Sequence, residues 1–188
     1  MAPDGGGCHR RAAWMAAGVF VPALVVLTTL AATAAVLAQD GGKCPAAPAL
    51  GDPHDPVVGA ALGLIADRYP SPAHIYVTDP RDLKVVLPSG NTPAFRIYYG
   101  NWVDPSIFVN QRSELYRLAS EGNGCALKLL AAALTHEMVH SRTKDDREAS
   151  RVELDVLDGF LKSTPHGVAE HLCLMERQQA IRAYSGLQ

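Results

Sequence analysis

Apolar positions are distributed along this chain in two different ways. Residues 12–38 carry no charged side chain and are mostly alanine, valine and leucine. Beyond residue 57 the apolar positions fall at regular spacings instead. Residues 57–68 place Val58, Leu62 and Ile65 on one stripe at helical spacing, and Pro70 closes the segment. Short β-branched or aromatic runs follow at 74–78, 83–87, 95–99 and 107–110. They are punctuated by Asp79-Pro80, by Pro88 to Asn91 and by Asp104-Pro105, which predicts four short strands in an antiparallel or mixed sheet. From residue 111 the period turns helical: 111–120, then 126–142 after Gly122-Asn123-Gly124, then 146–162 and 166–184 on either side of Ser163-Thr164-Pro165. A short sheet followed by a helical half predicts an α+β domain.

The first segment has the layout of an export signal. Arg10 and Arg11 precede the apolar run, and Val36 and Ala38 supply small residues before a cut that would leave Gln39 at the new terminus. The run is also long enough to span a bilayer, so residues 1–38 are expected to be a signal peptide or a retained membrane anchor. Either way the arginines hold the N-terminus in the cytoplasm and send the rest outward, to a periplasmic, secreted or membrane-anchored location. Residues 39–56 hold Pro45, Pro48, Pro53 and Pro56 with few large apolar groups, which is a tether. The folded domain is therefore expected over 57–188.

Composition narrows the function classes. The 188 residues are 48% hydrophobic and 19% charged, with a formal net charge of −2. That is too apolar for a disordered chain and supplies no basic patch for nucleic acid. Four cysteines do not make a disulfide scaffold in this length. Outside the cytoplasm Cys44, Cys125 and Cys173 could form one bridge at most. Three pairings are open, and Cys125 with Cys173 would staple the helical half.

The chemistry is concentrated at residues 136–140, His-Glu-Met-Val-His. Positions i and i+4 of a helix share a face one turn apart, so His136 and His140 can reach one cation. Glu137 stands beside that face, where it can hold a water without being a ligand. Imidazole suits Zn2+, and a zinc site with an open position activates its water. Residues 129–134 are wholly apolar, so the motif lies in a buried helix, where two histidines and a glutamate carry a desolvation cost.

Through Ala133-Leu134-Thr135-His136-Glu137-Met138-Val139-His140 the chain resembles the zincin metallopeptidases. The resemblance implies a small zincin-like α+β domain, zinc on His136 and His140, and Glu137 as general base. It also implies a peptide or protein substrate aligned along Ile107–Asn110. The third ligand divides that superfamily. Metzincins place a glycine three residues after the second histidine and a ligand three further on, where this chain has Thr143 and Asp146. Gluzincins take a glutamate from the next helix, and Glu148 in Asp146-Arg147-Glu148-Ala149-Ser150 resembles that arrangement. The expected metal ligands are therefore His136, His140 and Glu148. Glu153 is the rival, because it falls on the buried face of its helix with Ala149, Val152, Val156, Leu157 and Phe160; Asp146 is the third choice. Tyr98, Tyr99, His166 and His171 are available to stabilise an oxyanion. The expected function is an exported or membrane-tethered zinc metallopeptidase, held to the membrane through residues 12–38 if these are uncleaved. The alternative is a zincin-like binding module of the cell envelope that does not cleave.

Overall fold

The computed structural model describes residues 55–69, 74–87, 89–99 and 102–187. The expected signal or anchor, most of the tether and Cys44 lie outside the described residues. The domain is α+β, as expected. In chain order it comprises α1 (Pro56–Gly63), β1 (Ile75–Thr78), β2 (Ala94–Phe95), β3 (Tyr98–Tyr99), β4 (Trp102–Val103), β5 (Ile107–Asn110), α2 (Glu114–Ser120), α3 (Gly124–Val139), α4 (Asp146–Ser163) and α5 (Ala169–Ser185). No helix among the described residues is long and apolar enough to cross a membrane.

Side-chain caps start the first four helices. Asp55 accepts from the backbone N–H groups of Val57 and Val58 ahead of Pro56, which suits the first helical position. Ser113, Asn123 and Asp145 cap α2, α3 and α4 in the same way. Tyr116 also donates its hydroxyl to Asp55 at 2.6 Å, tying α2 to the start of α1.

The three-stranded sheet has the order β1-β5-β2, with β5 parallel to β1 and antiparallel to β2. All four β5 residues are buried. This overturns one expectation from the zincin resemblance. Both edges of Ile107–Asn110 are already hydrogen-bonded to neighbouring strands, so this segment has no free edge on which to align a peptide.

Two strand expectations change. The expected strand at 83–87 shrinks to a single bridge at Val86, because residues 80–84 form a turn: Asp79 accepts from the Arg81 N–H after Pro80, and Lys84 adopts a left-handed φ of 52°. Turn chemistry outweighs the β-branched pair here, and Val85 packs with Phe95, Ile97 and Phe108 in a small second core. The run 95–99 divides at Arg96 between the sheet and a separate two-stranded ribbon of β3 and β4. The strand at Trp102–Val103 lies outside the four expected runs.

Helix α3 is the centre of the domain. It is apolar nearly all round, with Leu130, Ala131, Ala132 and Leu134 fully buried, and a helix without a polar face belongs inside. α1, α2, α4, α5 and the sheet pack around it. Cys125 at its start forms a disulfide with Cys173 of α5, Cα atoms 6.4 Å apart, the pairing that would staple the helical half.

Candidate metal centre

Helix α3 carries its motif to its buried C-terminal end. His136 is 2% exposed, Glu137 5% and His140 6%. His140 is the C-cap residue, and its Nδ1 lies 3.1 Å from the carbonyl oxygen of Thr143. That bond folds residues 141–145 back on the helix. The reversal needs no glycine, since Lys84 is the one non-glycine residue with positive φ among those described. Asp145 then caps α4, and Asp146, its first residue, returns to the histidines.

Both imidazoles are held from behind. His136 Nδ1 lies 3.1 Å from Glu153 Oε2, and Glu153 Oε1 in turn accepts from Arg177 at 2.8 Å. Carboxylate and carbonyl oxygens only accept, so both Nδ1 atoms are donors, and whichever ring is uncharged carries its lone pair on Nε2. Those Nε2 atoms face each other at 3.1 Å. Two facing lone pairs repel unless a cation lies at their focus, either a proton or a metal ion. Asp146 Oδ1 stands 3.2 Å from His140 Nε2, and one ligand atom from each of His136, His140 and Asp146 lies within 4.8 Å of the others. Two imidazole nitrogens and one carboxylate are close enough together that they could hold a metal ion.

The electrostatics fit this arrangement. Burial works against a charge on His140, but the hydrogen bond to Asp146 and the nearby Glu137 raise its pKa above the ordinary imidazole value. His140 holds the Asp146 carboxyl below the usual range. Glu153 is penalised by complete burial, yet Arg177 and His136 outweigh that and bring it down to about 2, so it is an anion. Desolvation pushes Glu137 upward. Among the described residues its carboxylate forms no hydrogen bond, whereas its backbone carbonyl accepts from Arg96 Nε at 2.7 Å.

Glu148 is not brought to this centre. It stays on the surface 3.9 Å from Arg142 Nε, both side chains well exposed, while Asp146 occupies the place expected for it. Glu153 does fall on the buried face of α4, at 1% exposure, and hydrogen-bonds a histidine of the pair. Of the oxyanion candidates, Tyr98 is close enough to Glu137 and Asp146 for burial and their charges to lift its phenol to about 12. His166 and His171 lie together elsewhere, Nδ1 to Nε2 at 3.1 Å, with His171 bonded to the Thr164 carbonyl and buried. Nothing is described of the Tyr99 side chain.

Arg96 and Arg177 belong to no sequence motif, yet both contact this centre. Arg96 is 2% exposed and also donates to the carbonyls of Asp104 and Pro105, which fastens the β2–β5 region to the end of α3. Its only sequence signal is a charge inside an apolar run, Phe95-Arg96-Ile97-Tyr98.

Comparison with protein-family models, with curated proteins and with solved structures finds no match to this chain.

Proposed function

We propose that the chain is a zinc-dependent metallopeptidase of zincin type, with the metal held by His136, His140 and Asp146. The observation that carries this reading is the pair of Nε2 atoms 3.1 Å apart, with both Nδ1 atoms engaged as donors. Asp146 stands three residues beyond Thr143, the spacing of the third metzincin ligand, so the pattern moves toward zincins that use an aspartate. Bound there, zinc would supply Lewis acidity toward a carbonyl and a lowered pKa for a water.

The protein's own residues supply the remainder. Glu137 follows His136 directly and keeps its carboxylate free of hydrogen bonds among the described residues, so its oxygens are available to accept a proton from a water. Its raised pKa suits a group that accepts a proton from water and returns it to a leaving amine. Arg96 grips the backbone of that same residue. Tyr98 stays protonated near neutrality and can donate toward charge that develops on a substrate oxygen. The Cys125–Cys173 disulfide supports residence in an oxidising compartment outside the cytoplasm.

The test is zinc content of the purified chain, followed by cleavage of an unfolded protein such as casein before and after Glu137→Gln. One zinc per chain with cleavage lost in the variant is expected. A chain without metal sinks the reading, and metal without cleavage of peptides or proteins points to the non-cleaving binding module.

A further inference from the structure

The two histidines are held from behind by different means. His140 is backed by the Thr143 carbonyl, a main-chain group fixed by the turn that ends α3. His136 is backed by Glu153, a side chain with three rotatable bonds that cannot fix its own orientation. Its carboxylate is almost wholly buried, with 2% of the side chain exposed. The two oxygens serve different partners, since Oε2 accepts from His136 and Oε1 accepts from Arg177. Removing Arg177 would free the carboxylate to rotate and leave a buried anion without its cation.

We infer that Arg177 is a positioning residue for the metal centre, aligning His136 through Glu153 so that its Nε2 meets that of His140. This rests on the metal reading of the pair. It gives α5 a role in the site, although that helix supplies no residue to the His136–His140–Asp146 cluster. Cys173 lies one turn before Arg177, and its disulfide with Cys125 keeps α5 against α3 where the guanidinium reaches Glu153. Outer contacts of this kind affect metal affinity by about 10–100-fold.

The experiment compares the full chain with Arg177→Met and with the double variant Glu153→Leu/Arg177→Leu. Zn2+ affinity is measured by competition with a chromophoric chelator, and the visible absorption of bound Co2+ reports the ligand geometry. Thermal unfolding without metal is followed in parallel. Arg177→Met is expected to bind Zn2+ about 10-fold more weakly with altered Co2+ bands. The double variant removes both buried charges together, a change that folds often tolerate, so it should melt near the parent yet bind Zn2+ about 10–100-fold more weakly. Should Arg177→Met fail to fold, the double variant carries the test. Unchanged Zn2+ affinity and Co2+ bands in Arg177→Met, or in the double variant where the single one does not fold, would show that the pair is only structural and overturn the inference. A parent chain that takes up neither metal would instead overturn the metal reading itself.

Discussion

His136 and His140 turn their Nε2 atoms toward each other across 3.1 Å, and Asp146 closes the third side 3.2 Å from His140. Glu148, two residues further along, stays outside with Arg142. The two acidic residues therefore make opposite predictions. Asp146→Ala should weaken Zn2+ binding by about 10-fold or more, since it deletes a ligand, while Glu148→Ala should leave it unchanged. Equilibrium dialysis against Zn2+ separates them, and the reverse order would restore the gluzincin arrangement.

That difference marks where sequence reasoning stopped. The Glu-Ala pattern and the helical wheel of α4 both direct attention into the helix, and the wheel correctly buried Glu153. Asp146 is chosen by the turn before the helix, through the bond from His140 to the Thr143 carbonyl. That contact is set by the path of the chain and leaves no periodic trace. The same limit applies at Arg96, which reaches Glu137 41 residues on, and at Arg177, whose partner Glu153 lies on another helix. The motif, the apolar course of α3 and the strand at 107–110 were legible because local pattern and burial agree there. At 83–87 they conflict: the turn started by Asp79 and Pro80 takes the run as far as Lys84, and a bridge is left at Val86.

Glu137→Gln should separate chemistry from binding. Neither His136 nor His140 hydrogen-bonds the Glu137 side chain, and the helix backbone does not depend on its charge. The variant should keep its zinc and its melting temperature. Any peptidase activity should drop by about 10²–10⁴, the usual worth of general base catalysis. Full activity in the variant on a substrate the parent cleaves would exclude Glu137 as the base.

Glu153 makes the domain sensitive to acid. Its folded pKa, about 2, lies below the ordinary glutamate value of 4.5, so its stabilising contribution is complete above roughly pH 4.5. It is lost as the pH falls from there toward 2. Urea unfolding of the metal-free chain across this window should show stability declining, with a shallower decline in Glu153→Gln. Equal slopes would mean that the carboxylate is no longer an anion paired with Arg177 and His136.

The disulfide gives the last prediction. Cys125 and Cys173 are 48 residues apart, and closing a loop of that length removes unfolded-chain entropy worth about 4 kcal/mol at most. Cys125 is buried at the start of α3 beside its cap Asn123, and Cys173 packs against the same core. Replacing both with alanine removes the link while leaving two small groups that fit the space. The double variant should fold with stability lowered by about 2–4 kcal/mol, read from urea unfolding under non-reducing conditions. The unmodified chain should lose a similar amount when reduced with a phosphine. A reductant effect that persists in the double alanine variant would place its cause elsewhere. No loss in either comparison would mean that the packing of α3 against α5 already holds the helical half together without the bridge.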